Sequence, residues 1–215
     1  MILVAWLSSV LATMDGGAVP PPALDRNPVV LVHGIHSDSR DMTRLAHHLR
    51  VGGWQVFTPD LHPNGGQAGL DELAQQLAGY TERVLPGQRF DLVGFSMGGL
   101  VSRYYLQRLG GLDRVDRFIS LAAPHHGTVL AWMNATPGGR QMRPDSRFLR
   151  DLARDTGKLG RVKFTSLYTP LDLIILPARS SVMPQARNVR VVGLAHPSLI
   201  LGKRSLRAVA SALRE

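Results

Sequence analysis

The sequence predicts an α/β fold in which a mostly parallel sheet of about six strands carries helices on both faces. From residue 28 onward, short apolar runs alternate with amphipathic helical segments, which is typical of a parallel sheet. The 215 residues suffice for one sizeable core and are too few for two ordinary domains. A Gly-x-Ser-x-Gly sequence at 94–98 joins one apolar run directly to one helical segment.

The predicted elements follow from periodicity. Continuous apolar runs predict strands at 28–33, 54–58, 89–93, 115–122, 162–168 and 189–194. Apolar residues at helical spacing predict helices at 41–51, 70–85, 99–109 and 199–213. Residues 125–160 interrupt the alternation with glycines, prolines and apolar clusters. Because loops at the carboxyl ends of parallel strands build the site in such folds, we interpret this insertion as a small cap.

The amino-terminal residues are predicted to lie outside the folded domain. Residues 1–12 are apolar but too few to span a bilayer as a helix, and they lack the basic start of a signal peptide. A Gly- and Pro-rich linker follows. We therefore divide the chain into an apolar segment and linker (1–26) and one domain (27–215). Both a cytoplasmic and a secreted location remain open.

Composition excludes some functions and leaves others open. The chain contains no cysteine, which rules out disulfides and thiolate metal sites. The net charge of +9 is uneven, since residues 101–215 carry 19 basic and 7 acidic groups. Such a surface can attract anionic lipid or acidic substrates, but no dense basic run or aromatic-interleaved basic patch indicates nucleic-acid binding.

The segment Gly94–Gly98 predicts a nucleophile. A sharp strand-to-helix turn strains the backbone of its central residue and exposes its side chain, and glycines on both sides let the two arms approach. Ser96 occupies that position. The following helix begins beside it and favours developing negative charge.

A serine hydroxyl needs a base, and the base needs a carboxylate that orients it. His196 comes two residues after the last predicted strand, where a base would be required, while His125 and His126 also follow a strand and are rivals. Asp172 follows a predicted strand and keeps the order Ser, acid, His. The other later aspartates precede a strand or lie in the insertion.

An oxyanion needs N–H donors near the nucleophile. We expect one from Met97, directly after Ser96, and one from Ile35 in the loop after the first strand, where Gly34 lets the backbone come close. His33 adjoins this loop. Metal ligation by His33 and neighbouring histidines is not expected, because no His-Glu-x-x-His pattern or carboxylate-rich set accompanies them.

At this point the residues match a known family. The run from Asn27 to Ile35, the Gly94–Gly99 segment, Asp172 and His196 resemble the α/β-hydrolases and, more narrowly, the small bacterial triacylglycerol lipases. Residues 122–128 and 165–172 are similar to segments of the same lipases. The resemblance implies a minimal α/β-hydrolase fold over residues 27–213 and carboxylic-ester hydrolysis without an organic cofactor. The long insertion and Phe95, where histidine is common, depart from the family pattern.

The predicted function is a serine hydrolase that cleaves carboxylic esters, with triacylglycerol lipase as the first candidate. A carboxylesterase or acyl-thioesterase for short soluble substrates is the alternative, and a non-catalytic lipid-binding or membrane-surface protein is the alternative of another class. We expect a monomer that binds a lipid or ester substrate without a metal or cofactor and that can make transient contact with a membrane or lipid interface. The residues expected to line the substrate site are His33, Gly34, Phe95, His125 and His126.

Overall fold

Six parallel strands form one open sheet in the order β2-β1-β3-β4-β5-β6. The structure, a computed structural model, describes residues 19–23, 25–192 and 195–215. The apolar run at 1–12 therefore lies outside the described residues, and the division at residue 26 stays a prediction. The strands are β1 (Val29–Val32), β2 (Val56–Phe57), β3 (Phe90–Phe95), β4 (Val115–Leu121), β5 (Lys163–Tyr168) and β6 (Arg187–Arg190).

Helices cover both faces of this sheet. They are α1 (Thr43–Val51), α2 (Leu70–Val84), α3 (Met97–Arg108), α4 (Pro137–Gln141), α5 (Arg147–Ala153), α6 (Ser198–Leu201) and α7 (Lys203–Ala212). No helix among these described segments is long and apolar enough to cross a membrane. The predicted α/β architecture with about six strands is confirmed.

The core consists of two layers, because successive strand side chains point to opposite faces of a sheet. Val30 and Val32 of β1 pack with helices α2, α3 and α5. Val29 and Leu31 of the same strand pack with α1, α6 and α7. All four valine and leucine side chains of β1 are fully buried, as expected for a central parallel strand.

The carboxyl-terminal third differs from the predicted elements. The last strand ends at Arg190, whereas the apolar run predicted a strand over 189–194; residues 193 and 194 lie outside the described part. β6 is an edge strand with mostly exposed side chains, so hydrophobicity did not mark it. The predicted helix 199–213 is interrupted at Gly202, which separates α6 from α7.

The insertion (residues 125–160) packs beside the carboxyl edge of the sheet. It contains two 3₁₀ turns, Val129–Met133 and Thr156–Arg161, with α4 and α5 between them. Phe148, Leu149 and Leu152 of α5 are buried against the α2–α3 layer, and Tyr104 of α3 stacks on Phe148. The insertion is therefore anchored by α5 and also at α4, where the Gly138 N–H donates to the Gly66 carbonyl at 2.9 Å, while the tip of its first 3₁₀ turn reaches solvent.

Candidate active site

Ser96 occupies a strained turn between β3 and α3. Its φ of 53° and ψ of −122° lie in a region that residues with a Cβ rarely adopt. The Ser96 N–H donates to the Leu121 carbonyl at 2.8 Å, and the Gly99 N–H donates to the Ser96 carbonyl at 3.0 Å. The turn is thus held by neighbouring backbone on both sides and ends at the amino terminus of α3, where negative charge is favoured.

The glycines at 94 and 98 are needed because backbone passes too close for a side chain. A Cβ on Gly94 would lie 2.6 Å from the Gly98 carbonyl oxygen and 2.7 Å from the Gly99 Cα. A Cβ on Gly98 would collide with the carbonyl oxygens of His33 and Val32. The close packing joins the Ser96 turn to the end of β1 without intervening side chains.

Asp172 and His196 form a buried hydrogen-bonded pair. The His196 Nδ1 lies 2.7 Å from the Asp172 Oδ2, and both side chains are almost fully buried. The other carboxylate oxygen, Oδ1, accepts the N–H groups of Ile174 and Ile175, each at 2.9 Å. The backbone of the loop after β5 therefore fixes the carboxylate, and the carboxylate fixes the imidazole.

The surroundings of Asp172 favour its ionised form. Burial alone would raise the pKa of the carboxyl group, but the hydrogen bond and charge of His196, together with the N–H groups of Ile175 and Ile174, hold the pKa below its ordinary value. An ionised carboxylate can only accept, so His196 Nδ1 donates to it. In the neutral imidazole the remaining nitrogen, Nε2, is then the proton acceptor.

Three loops at the carboxyl edge converge on this region. The His196 ring lies 4.8 Å from the Phe95 ring, centroid to centroid, which brings the imidazole next to the residue that precedes Ser96. An added Cβ on Gly34 would lie 3.2 Å from the Ser96 Cβ and 3.3 Å from the Phe95 ring. The loop after β1, the Ser96 turn and the start of α6 are therefore neighbours.

His33 is buried and supports the loop after β1. The Leu61 N–H donates to His33 Nε2 at 3.0 Å, so Nδ1 carries the proton and donates to the Gly34 carbonyl at 2.9 Å. Both ring nitrogens are thus engaged by backbone. These contacts explain His33 as a residue that positions Gly34 and Ile35; its predicted contact with substrate stays a prediction.

His125 and His126 do not pair with Asp172 in the described structure. His125 is buried between Phe118 and Phe164, and its Nε2 lies 2.9 Å from the Ser120 Oγ. Burial, followed by the nearby charge of Arg103, holds the pKa of His125 well below its ordinary value, so the ring is a neutral core group. His126 is exposed, and its Nε2 bonds the Val182 carbonyl at 3.1 Å.

Sequence reasoning missed Arg103, a buried residue of α3. Its Nε donates to Gln107 Oε1 at 2.8 Å, while Nη1 and Nη2 donate to the His125 and Leu152 carbonyls at 3.1 and 2.9 Å. Burial lowers the pKa of Arg103 to about 10, with the charge of Asp155 opposing. Arg103 therefore ties the helix after Ser96 to the start of the insertion and to α5. No local pattern could reveal partners that lie so far along the chain.

The sheet order, the Ser96 turn and the Asp172–His196 pair define the class of the protein as an α/β-hydrolase of the lipase and esterase type. The family model described as palmitoyl protein thioesterase matches residues 28–157. The chain belongs to this family. The matched region includes Ser96 and the loop after β1, whereas Asp172 and His196 come after it.

Individual relatives agree with this assignment. The chain is 32% identical to the lysosomal thioesterase PPT2 of Homo sapiens over 133 residues, which are 57% of this chain and 43% of that protein. It is 31% identical to a triacylglycerol lipase of Pseudomonas fragi over 112 residues, covering 49% and 37% of the two chains. The matched segments thus span less than half of these curated relatives.

Solved structures support the fold. The mature form of Bacillus licheniformis lipase BlEst2 superimposes with a TM-score of 0.78 at 20% identity, covering 92% of this chain and 96% of that one. Aspergillus fumigatus lipase B gives a TM-score of 0.77 at 20% identity, covering 88% and 53%. The resemblance to α/β-hydrolases stated from the sequence is confirmed.

Proposed function

We propose that this protein is a serine hydrolase that cleaves fatty-acyl esters and thioesters through an acyl-enzyme. Ser96 is the nucleophile, His196 the general base and acid, and Asp172 the carboxylate that orients His196. The observation that carries the proposal is the 2.7 Å contact between His196 Nδ1 and Asp172 Oδ2 beside a serine held at a strained turn. A buried carboxylate whose pKa is shifted by a hydrogen-bonded imidazole is typical of catalytic sites.

The reaction follows from the proton positions. His196 Nε2 takes the Ser96 proton as Oγ attacks the acyl carbon, and ionised Asp172 stabilises the imidazolium. The N–H groups of Met97 and Ile35 are the proposed donors to the oxyanion. His196 then protonates the departing alcohol or thiol. Water, deprotonated by His196, hydrolyses the acyl-enzyme and releases the fatty acid and free Ser96.

The two leading substrate classes, triacylglycerols and acyl thioesters, differ in the leaving group. Triacylglycerol was the first candidate from sequence, and the similarity to the Pseudomonas fragi lipase supports it. Membership of the palmitoyl protein thioesterase family and similarity to a lysosomal thioesterase support an acyl thioester. The proposed residues serve both reactions equally, because the acyl carbon and its oxyanion are the same. We therefore propose acyl transfer to water as the shared chemistry, with a long-chain thioester as the preferred substrate.

The first experiment tests the chemistry itself. Ser96→Ala should abolish labelling of the native protein by a fluorophosphonate probe and remove essentially all turnover of p-nitrophenyl butyrate. Ser211→Ala, an exposed serine on α7, is the matched control and should retain both. Labelling and turnover that survive in the Ser96 variant would refute the assignment. Their absence in the unaltered protein would favour the non-catalytic alternative.

The same preparation then distinguishes the substrates. We expect kcat/KM for palmitoyl-coenzyme A to exceed kcat/KM for p-nitrophenyl butyrate. One assay of released palmitate then compares emulsified tripalmitin with the thioester, and we expect faster release from the thioester. Faster hydrolysis of tripalmitin than of palmitoyl-coenzyme A would identify the protein as a triacylglycerol lipase. A preference for butyrate over palmitate in esters of one alcohol would indicate a short-chain esterase.

A further inference from the structure

Exposed apolar side chains concentrate at the carboxyl edge of the sheet. Six of the ten exposed large hydrophobic residues in the described part of the chain come from only two short segments. These six, here called the apolar rim, are Val129, Trp132, Met133, Leu171, Leu173 and Ile174. Trp132 is 62% exposed, Met133 87% and Leu173 71%. Such a cluster is unusual for a surface that faces only water.

The two segments of the apolar rim are joined by hydrogen bonds. The Thr128 Oγ donates to the Ile174 carbonyl at 2.8 Å and accepts the Leu176 N–H at 3.0 Å. The Val129 N–H donates to the Leu176 carbonyl at 2.9 Å. The 3₁₀ turn of the insertion and the loop after β5 therefore form one continuous surface rather than two independent loops.

A cation lies within this surface. The Arg143 guanidinium stacks on the Trp132 ring, 4.6 Å from its centroid, and donates to the carbonyls of Ala131 and Asn134 at 3.2 and 3.0 Å. No carboxylate within the described residues forms an ion pair with Arg143. The rim thus combines apolar side chains with uncompensated positive charge.

We propose that the apolar rim docks this protein on the surface of a bilayer containing anionic phospholipid. Trp132, Met133 and Leu173 enter the boundary between headgroups and acyl chains, and Arg143 contacts lipid phosphate. An indole with a stacked guanidinium suits that boundary, since each has an apolar body and a polar end. A guanidinium also binds phosphate through two parallel hydrogen bonds.

Docking by this surface would bring the proposed catalytic residues to the membrane. Asp172 belongs to the same loop as Leu171, Leu173 and Ile174, and its Oδ1 accepts the Ile174 N–H. The orientation of the rim therefore fixes the orientation of the Asp172–His196 pair. This consequence rests on the proposed function, in which an acyl chain enters from the lipid; the docking itself does not require catalysis.

Vesicle sedimentation tests the proposal. The full chain carrying Ser96→Ala is mixed with vesicles of pure phosphatidylcholine or of phosphatidylcholine with 30% phosphatidylserine. We expect tighter binding to the anionic vesicles, weakened by salt. The double variant Trp132→Ser/Met133→Ser and the variant Leu173→Ser should each bind at least roughly tenfold more weakly, since large apolar side chains leave the bilayer.

The charge contribution is tested in the same assay. Arg143→Gln should weaken binding to anionic vesicles roughly fivefold, whereas Arg143→Lys, which keeps the charge but not the two parallel hydrogen bonds, should weaken binding less. Val51→Ser and Arg154→Gln are matched controls: Val51 is exposed at the end of α1, just before β2, and Arg154 is exposed after α5. Neither should change binding. The apolar run at residues 1–12 is common to every variant, so a difference in binding between two variants reports on the substituted residues.

The outcomes separate docking from catalysis. Unchanged vesicle binding in the rim variants, or equal binding to neutral and anionic vesicles, would overturn the proposal. A dimer in sedimentation velocity that dissociates in Trp132→Ser/Met133→Ser would assign the rim to a second copy of the chain instead. Rim variants that keep Ser96 should retain full turnover of soluble p-nitrophenyl butyrate if the rim serves only to dock the protein on a membrane. Intact vesicle binding without any Ser96-dependent turnover would refute the proposed function alone.

Discussion

Asp172 carries the most specific prediction for a single side chain. Asp172→Asn preserves size and one acceptor oxygen, which can still receive the Ile174 and Ile175 N–H groups. The amide nitrogen would then donate to His196 Nδ1, so the imidazole proton would lie on Nε2. A protonated Nε2 cannot accept the proton of the Ser96 hydroxyl. We expect kcat for p-nitrophenyl butyrate to fall by about 10⁴ with little change in the thermal unfolding midpoint.

An aspartate of the insertion supplies the control for this substitution. Asp145 is exposed, so Asp145→Asn should leave kcat unchanged. A loss smaller than tenfold in Asp172→Asn, measured on protein that unfolds at the parent temperature, would remove Asp172 from the proposed role. The comparison works because both substitutions delete one negative charge, while only one of them faces the imidazole.

The junction of β3 and α3 gives a prediction at the scale of elements. Gly98→Ala would place a methyl group against the His33 and Val32 carbonyls, which belong to backbone and cannot turn aside. We expect the variant to lose about 2 kcal/mol or more of unfolding free energy, or to misplace the Ser96 turn. Urea denaturation measures the first effect, and fluorophosphonate labelling measures the second.

Gly79, in the interior of α2, is the matched control for Gly98. An added Cβ there meets no atom within 4 Å. Alanine is a better helix former than glycine, so Gly79→Ala should stabilise the protein by about 1 kcal/mol. If Gly98→Ala behaved like Gly79→Ala, the close approach of α3 to the end of β1 would not constrain this position.

The elements near the Ser96 turn were predictable from sequence, and the distant ones less so. The first five strands and the first three helices follow from hydrophobic periodicity, with ends shifted by a few residues. β6 was misplaced because an exposed edge strand, Arg187–Arg190, needs no apolar side chains, while the apolar Val191 and Val192 after it belong to no strand. Gly202 divides the final helix although the helical spacing continues across it.

Across the whole molecule, the proposed catalytic residues lie at the carboxyl edge of the sheet, and a buried carboxylate, Asp91, lies at the opposite, amino edge. Ser96, Asp172 and His196 follow strands and could be selected from sequence, because parallel strands place their carboxyl ends together. The contacts of Arg103 and Asp91 could not be predicted, because they depend on partners from other elements. At the amino edge, Asp91 is buried and accepts from Asn27 Nδ2 at 3.2 Å and from the Arg117 N–H at 3.2 Å.

Asp91 makes the stability of the protein depend on pH. Burial raises the pKa of its carboxyl group from 3.8 to about 6, against the opposing effects of Asn27 and Arg117 and with a small contribution from Asp116. Because the folded protein binds this proton more tightly than the unfolded chain, the contribution of Asp91 is most favourable below about pH 4 and is lost as the pH rises through 6.

The corresponding measurement compares the parent protein with Asp91→Asn by urea denaturation between pH 4 and pH 7. Asparagine does not titrate, so the parent-minus-variant unfolding free energy should decrease by up to about 3 kcal/mol across this range. Asp113→Asn, at an exposed ion pair with Arg161, should show no such trend. A difference that grew with pH would mean that the charge of Arg117 outweighs burial. The carboxylate would then be an ordinary stabilising ion and not a buried acid.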